Sequence, residues 1–208
     1  MYIAKHFNPE EQLQIFTLIK NFPFVTLISK DEAGQLSISH VPVVTDFENG
    51  KLMAIKGHFA QRNPQVGHLA SNPHVTVIFG GPHAYITPVW YKSGRDVPTW
   101  NYCVVHVHGQ LQLNNSFEDI CANLKELTKV FESGAGAWEF ELPSDLKRPD
   151  DLTAAIVAFS IIPEKIEAKF KLSQNRPMAD RLGVIEGLGF RKDEMSLSVR
   201  KYMQDTIK

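Results

Sequence analysis

The stretch from Phe79 to Leu113 reads FGGPHAYITPVWYKSGRDVPTWNYCVVHVHGQLQL. Two β-rich runs flank a loop that contains proline, tryptophan and charged residues. In the second run, Cys103 and Val105 alternate with Tyr102 and His106, which predicts a strand with one apolar and one largely polar face. Loops of this composition often carry ligand-binding residues, so this stretch is the first candidate for a functional surface.

Inside this stretch, five aromatic residues fall within 18 consecutive positions: Tyr85, Trp90, Tyr91, Trp100 and Tyr102. Each has a flat apolar ring with a polar tip, a combination that suits a planar ligand. The same rings are equally typical of core or interface anchors. Composition alone leaves both interpretations open.

The composition of the whole chain is that of an ordinary globular protein. It has 208 residues, of which 43% are hydrophobic and 22% charged, and a formal net charge of -1. This balance excludes a net field that would draw the entire molecule onto nucleic acid or an anionic membrane. The sequence has no signal-peptide pattern and no apolar run long enough to span a bilayer, so we expect a cytoplasmic protein without membrane contact.

Six β runs are predicted before residue 114, at 24–29, 35–44, 51–57, 75–80, 84–88 and 100–113. Runs this short and closely spaced favour an antiparallel barrel over a parallel α/β sheet. Two more runs are predicted at 158–162 and 165–172, on either side of Pro163, and a short helix from Leu152 leads into the first. The predicted fold class is therefore mainly β with flanking helices.

Helices are predicted from Pro9 to about Asn21, and over 64–72, 116–134 and 177–189, with a further docking helix after Arg191. Ser116 with Asp119 makes a capping-box-like start for the third of these helices. Two of these helix starts have the polar residues that an anion site needs. Asn63 and Pro64 open one, beside Arg62, and SQNR at 173–176 precedes the other. A well-capped connector is the alternative for the first.

His106 and His108 stand two positions apart on one strand face, a spacing that can bind a metal. No carboxylate is fixed nearby by the pattern, so neutral surface or interface histidines are the preferred interpretation and no metal is predicted. Cys103 and Cys121 lack any ligand spacing and are predicted to be buried small hydrophobes. No hydrolytic motif occurs, and no catalytic residue is assigned.

Five strings occur in a characteristic order: MYIAKHFNP, GHFAxxNPQ, FxGPHAYITP, VPTWNYxxVH and KLSQNR. Together they resemble the PaiB family of FMN-binding negative transcriptional regulators over residues 1 to about 190. The resemblance implies an FMN-binding split β-barrel, usually a homodimer with flavin sites at the subunit interface. We therefore predict a split-barrel flavin-binding domain with peripheral helices, 1–190, followed by a helical tail, 191–208, whose apolar residues have helical spacing.

The resemblance implies a set of cofactor-binding residues. His58 and Asn63 would line the pocket, and Tyr85 and Trp90 would lie near the flavin ring. Thr99, Trp100 and Asn101 would supply polar and stacking contacts. The phosphate or ribityl side would be completed by Lys171, Ser173, Gln174, Asn175 and Arg176. The sequence departs from the family pattern at Val66, where relatives often have Trp, and at Val89, where Ser is usual. Arg62 stands at a position that varies in the family.

Three functions remain open. The resemblance implies a negative transcriptional regulator, although the sequence shows no evident helix-turn-helix. A dimer could still present a basic face to DNA, formed by Lys165, Lys169, Arg191, Lys192, Arg200 and Lys201. The alternative is a flavin-dependent oxidoreductase that acts on an unknown small substrate. A third possibility is another ligand, such as haem held by one of the histidines.

Overall fold

Seven strands form one sheet among the residues that the computed structural model describes, which are 1–9, 11–94, 97–132, 134, 136–141 and 154–207. The strands are β1 Phe24–Lys30, β2 Leu36–Pro42, β3 Val44–Glu48, β4 Lys51–Ala60, β5 His74–Ile86, β6 Thr99–Asn114 and β7 Ile156–Lys171. Their order in the sheet is β2-β1-β5-β6-β7-β4-β3. β1 pairs antiparallel with β2 and β5, and β4 pairs antiparallel with β3 and β7.

Five helices flank the strands in the described ranges: α1 Gln12–Asn21, α2 Pro64–Ser71, α3 Phe117–Phe131, α4 Met178–Gly189 and α5 Glu194–Asp205. Short 3-10 turns occupy Lys5–Phe7 and Pro88–Trp90. The prediction of a mainly β fold with flanking helices is confirmed. Within the described ranges, no helix is both long enough and apolar enough to cross a bilayer.

The strand boundaries correct three of the predictions. The runs predicted at 75–80 and 84–88 are the single strand β5, because Gly80–His83 remains extended. The run predicted at 35–44 divides at Val43 into β2 and β3. The runs predicted at 158–162 and 165–172 are the single strand β7, which continues through Pro163 although proline lacks the N–H donor.

The helix ends follow local capping. The Asn63 side chain accepts a hydrogen bond from the Gln65 N–H at the start of α2, and Ser116 caps α3 through the Asp119 N–H, as predicted. α1 starts at Gln12 and not at Pro9, because Asn8 is extended and ends the preceding 3-10 turn. α3 ends at Phe131, three residues before the predicted Gly134, and the helix predicted from Leu152 starts outside the described residues.

The chain forms two compact units. Unit 1 comprises Met1–Leu18, Gly80–Val105 and Glu167–Lys208, and unit 2 comprises Ile19–Phe79 and His106–Ile166. Large side chains that are almost fully buried form the core of each unit: Ile86, Phe170 and Leu172 in unit 1, and Ile55, Phe59, Phe79, Phe159 and Ile161 in unit 2. The boundary at residue 190 stays a prediction, and α4 and α5 lie together in unit 1.

Candidate functional site

One face of the strands in unit 1 carries aromatic and basic side chains. We call it the aromatic face, and its residues are His83 and Tyr85 of β5, Trp100 and Tyr102 of β6, and Lys169 and Lys171 of β7. The residues between them, such as Ala84, Asn101 and Ala168, are buried, as the period of two in a strand requires. Trp100 is 52% exposed and Tyr85 is 41% exposed, so their rings are available to a ligand.

The rings of the aromatic face are already arranged against one another. The Trp100 ring meets the Tyr85 ring edge-on at a centroid distance of 6.1 Å, and it lies 5.9 Å from the His83 ring. The Lys169 Nζ lies 5.5 Å from the centroid of the Tyr102 ring and 5.6 Å from that of Tyr2. Cation–π contacts of this kind hold a positive charge beside the rings.

Lys171 places an ammonium at the end of the same face. Its Nζ donates a hydrogen bond to the Thr99 hydroxyl. Burial lowers the pKa of Lys171, the neighbouring Lys169 charge lowers it further, and Tyr102 acts in the opposite direction. An ammonium that has lost part of its hydration gains from an anionic ligand, and a phosphate is such a ligand.

The predicted segments PTWNY and KLSQNR meet through buried side chains. The Asn101 Nδ2 donates to the Ser173 Oγ at 2.9 Å, and Asn101 is 0% exposed. Ser173 has a φ of 65°, in the left-handed region that a non-glycine residue seldom adopts. Gln174 is also used internally, because its Oε1 accepts from the Leu172 N–H at 2.7 Å and its Nε2 donates to the Phe170 carbonyl at 2.6 Å. These three residues therefore fix the path of the chain, and Asn175 is exposed.

Trp90 packs on helix α4. A Cβ on Gly187 would lie 2.3 Å from the Trp90 ring, and a Cβ on Gly183 would lie 2.1 Å from the Trp90 carbonyl oxygen. The Arg191 guanidinium carbon lies 4.8 Å from the centroid of the same ring. The spacing of the two glycines thus creates a surface that receives the tryptophan, and Trp90 belongs to the packing of this loop.

Asp180 holds the loop that follows Trp90. Its Oδ1 accepts hydrogen bonds from the Lys92 N–H at 2.7 Å and the Ser93 N–H at 2.9 Å, and its Oδ2 accepts from the Ser93 hydroxyl at 2.8 Å. The Ser93 backbone hydrogen bond is the largest cause that lowers the pKa of Asp180, and burial opposes it. Nearby, the Arg176 guanidinium carbon lies 4.7 Å from the Tyr91 ring centroid. Sequence reasoning missed Asp180, whose signal is an acid in the first turn of α4.

In unit 2, the side chains of the two predicted flavin residues hydrogen-bond within the unit. The His58 Nδ1 lies 3.1 Å from the Asn123 Oδ1, so the ring bonds to α3. The Asn63 Nδ2 donates to the Ser39 Oγ at 3.0 Å while its Oδ1 caps α2 by accepting from the Gln65 N–H. These contacts support the connector interpretation of this helix start.

Four other candidates from the sequence have defined contacts. The His108 Nδ1 lies 3.0 Å from the Thr76 Oγ1, and the His106 and His108 rings are 6.5 Å apart. In the tail, Arg191 donates to the Ser196 Oγ, and the Arg200 Nε donates to the Ile185 carbonyl at 3.1 Å. Two of the basic residues expected to face DNA therefore make contacts within unit 1.

Comparisons with known proteins identify the family. Residues 1–165 match the family described as "Putative FMN-binding domain". The chain is 32% identical over 211 residues to "Protease synthase and sporulation protein PAI 2" of Bacillus subtilis, and the alignment covers 100% of this chain and 99% of the relative.

Two solved structures share the fold at low identity. The FAD and heme binding protein from Mycobacterium smegmatis has a TM-score of 0.59 and 12% identity, over 84% of this chain and 78% of that one. The flavocytochrome Anf3 from Azotobacter vinelandii has a TM-score of 0.61 and 10% identity, and the match covers 81% of this chain and 72% of that one. The chain belongs to the FMN-binding family: it is an FMN-binding split-barrel protein of the PaiB type, and the predicted resemblance is confirmed.

Proposed function

We propose that this PaiB-type protein holds FMN on the aromatic face of unit 1 and acts as a negative transcriptional regulator. One observation carries the location of the flavin. Trp100 and Tyr85 stay about half exposed in a mutually ordered pair, while Lys171 and Thr99 supply a cation and a hydroxyl on the same strands. This combination matches a planar aromatic group joined to a phosphate.

The residues of the face would share the work of binding. Trp100 and Tyr85 offer ring surface to the isoalloxazine, and Lys171 with Thr99 would receive the phosphate or the ribityl chain. Lys169, held over Tyr102, adds positive charge that steers the phosphate. FMN supplies electron-transfer chemistry when bound, whereas the protein supplies orientation and electrostatics.

The predicted site residues divide by role in this proposal. Tyr85, Thr99, Trp100 and Lys171 are proposed to contact the flavin directly. Asn101, Ser173, Gln174, Trp90 and Arg176 shape the segments that carry those four residues, through the buried and stacked contacts described above. Asn175 is exposed next to them and remains a predicted contact, as do His58 and Asn63.

A homodimer is part of the proposal. The aromatic face leaves large rings open to solvent in the single chain, and Tyr2 is 83% exposed beside Lys169. Apolar rings of this size are commonly covered by a ligand or a partner. A second copy of the chain together with FMN would cover them.

The regulatory role rests on the family and on the full-length similarity to the PAI 2 protein. We propose a cytoplasmic protein. Regulation by DNA contact needs cations that are open to phosphate groups. Lys192 and Lys201 are exposed in the tail, whereas Arg191 and Arg200 make contacts within unit 1. We therefore assign DNA contact to the two lysines.

The flavin proposal is tested by FMN titration in low-phosphate buffer, followed by visible absorbance. We expect Lys171→Ala and Trp100→Ala each to weaken FMN binding by about tenfold or more, the loss expected for a charge-assisted hydrogen bond or a stacked ring. The matched controls are Lys192→Ala and Trp138→Ala, which change an exposed lysine and a 58% exposed tryptophan outside the face. Equal affinities of all four variants would place the flavin elsewhere.

The regulatory proposal is tested by a gel shift with promoter DNA at two salt concentrations, with and without FMN. We expect Lys192→Ala combined with Lys201→Ala to weaken binding and to reduce its salt dependence. The absence of salt-dependent binding to any promoter fragment would contradict regulation by direct DNA contact. If the same preparation oxidised a reduced nicotinamide cofactor in a flavin-dependent manner, this result would favour the oxidoreductase alternative.

A further inference from the structure

A cleft in unit 1 lies between the N-terminal segment, the end of β7 and the two C-terminal helices. It has two overlapping lobes of about 350 and 380 Å³, which share Glu11, Gln14, Phe170, Asp205 and Thr206. Phe170 and Lys171 are neighbours on one strand and therefore point to opposite sides of it. No lining residue of the cleft belongs to the aromatic face, so the cleft is a separate feature.

The first lobe has an apolar side, formed by Leu13, Phe170 and Tyr202, among polar lining residues. The rings of Phe170 and Tyr202 meet edge-on with their centroids 5.8 Å apart, and Leu13 of α1 also lines the lobe. Leu13 is 70% exposed, although it is the kind of side chain that burial favours. This part of the cleft is suited to a compact apolar group.

The second lobe carries charges of both signs. Glu11 and Asp205 line it with negative charge, and Arg181 lines it with positive charge. The Thr17 hydroxyl of the first lobe and the Gln174 amide of the second bond to backbone atoms, so these parts of the lining are fixed in place. A ligand with one positive and one negative group matches this distribution better than a ligand with a single charge.

Arg181 is incompletely paired. Its Nη2 donates to the Thr206 carbonyl at 3.0 Å and to the Thr206 Oγ1 at 2.7 Å, which fixes the guanidinium beside the end of α5. The Nε is buried and has no hydrogen-bond partner among the described residues. A buried N–H without an acceptor costs free energy. Arg181 also lines the second lobe, so a ligand carboxylate held there would meet the positive charge of its guanidinium.

We propose that this cleft binds a free α-amino acid with an apolar side chain. Glu11 would receive the ammonium, Arg181 the carboxylate, and the apolar side of the first lobe, formed by Leu13, Phe170 and Tyr202, the side chain. Each of the three parts of such a ligand thus meets a wall of matching chemistry. The proposal goes beyond flavin binding and does not depend on where FMN is held.

The test is calorimetric titration of the full-length, FMN-loaded protein with L-leucine. Three analogues each lack one part of the ligand: leucinamide lacks the carboxylate, 4-methylpentanoate lacks the ammonium, and glycine lacks the side chain. We expect saturable binding of leucine, with each analogue weaker by about tenfold or more. Leucine that fails to bind at up to about 10 mM, or analogues that bind equally well, would overturn the proposal.

A variant pair assigns the binding to the cleft. We expect Glu11→Gln to weaken leucine binding by about tenfold, since the substitution keeps the shape and removes the charge. Glu186→Gln changes an exposed acid of α4 that does not line the cleft, and it should bind leucine as the unchanged protein does. Equal affinity of the two variants would overturn the site. FMN absorbance is measured in parallel, so a failure of flavin binding and a failure of amino-acid binding are seen separately.

Discussion

Unit 1 and unit 2 use their motif residues differently. In unit 2, His58 bonds to Asn123, and Asn63 bonds to Ser39 and caps α2. In unit 1, Trp100 and Lys171 keep a ring surface and a partly dehydrated ammonium available. In our proposal, the family motifs therefore contain both residues that bind the flavin and residues that hold the binding elements in place, and exposure together with buried hydrogen bonds distinguishes the two.

The largest change in stability among the variants that test this comparison is expected from Gly183→Ala in unit 1. The new Cβ would lie 2.1 Å from the Trp90 carbonyl oxygen, which belongs to backbone and cannot rotate away. We expect a loss of about 3 kcal/mol in the free energy of unfolding, at the upper end for overpacking, measured by urea denaturation. Because the change also displaces the loop after Trp90, FMN affinity should fall with it.

Gly50→Ala is not a suitable control for Gly183→Ala, because Gly50 has a φ of 71° and any side chain there is strained. Gly80→Ala is the better match, because nothing lies within 4 Å of its added Cβ and no positive φ is required. If Gly183→Ala were as stable as Gly80→Ala, Trp90 would not be packed on α4 in solution.

The next effect compares one buried amide in each unit. Gln65 of unit 2 is 1% exposed, accepts from the Ser39 hydroxyl at 2.6 Å and donates to the Ser29 Oγ at 2.9 Å. Asn101 of unit 1 is equally buried against Ser173. We expect Gln65→Ala and Asn101→Ala each to cost about 1–3 kcal/mol in unfolding free energy, because each leaves buried hydroxyls with fewer partners.

FMN titration of the same two variants sharpens the comparison. In our proposal Asn101 supports the segments that carry Thr99 and Lys171, so Asn101→Ala should weaken FMN binding at a temperature where the protein is still folded. A variant of Asn101 with unchanged flavin affinity and reduced stability would contradict the supporting role and leave only a packing role.

Much of the strand pattern could be predicted from the sequence, because alternation is a local property. Asn101 and Cys103 are buried and Trp100 is exposed, as the period of two requires. The caps at Asn63 and Ser116 are local as well and were predicted. The role of Trp90 was not, because the surface that receives it consists of two glycines about ninety residues away in the chain. Such a contact has no local periodicity.

The site shows the same limit. The motifs predicted that PTWNY and KLSQNR matter, and the structure brings them together through Asn101 and Ser173. The structure also decides which side chains form internal hydrogen bonds and which stay exposed. The Gln174 side chain, for example, bonds to backbone atoms of Phe170 and Leu172. Lys169 was assigned to a basic face for DNA, yet its ammonium lies over Tyr102. Sequence spacing could not distinguish these uses.

A smaller effect concerns acid stability in unit 1. The pKa of Asp180 is lowered in the folded protein, first by the Ser93 backbone hydrogen bond. The stability that it contributes is therefore present above the ordinary carboxyl pKa of about 3.9 and is lost as the pH falls through the lower folded value. We expect Asp180→Asn to be less stable than the unchanged protein at pH 7, and its stability to fall less steeply below about pH 4.

Asp193→Asn is the matched control for Asp180. The pKa of Asp193 is lowered too, first by the Ser196 backbone hydrogen bond at the start of α5. The stability of both variants should therefore fall less steeply as the pH is lowered. Only Asp180→Asn should increase amide hydrogen exchange at Lys92 and Ser93. Equal exchange at these two amides in both variants would show that Asp180 does not anchor the loop.

The smallest effect, with the opposite sign, is expected from Gly67→Ala in unit 2. Gly67 lies inside α2, and nothing lies within 4 Å of an added Cβ, in contrast to Gly183 inside α4. Alanine restricts the unfolded chain more than glycine does, so we expect a gain of about 0.5–1 kcal/mol in unfolding free energy by urea denaturation. FMN affinity should stay unchanged, because Gly67 is exposed and belongs to none of the proposed flavin contacts. A destabilised Gly67→Ala would mean that this helix face is covered in solution, and the contrast between an open helical glycine in unit 2 and a packed one in unit 1 would then fail.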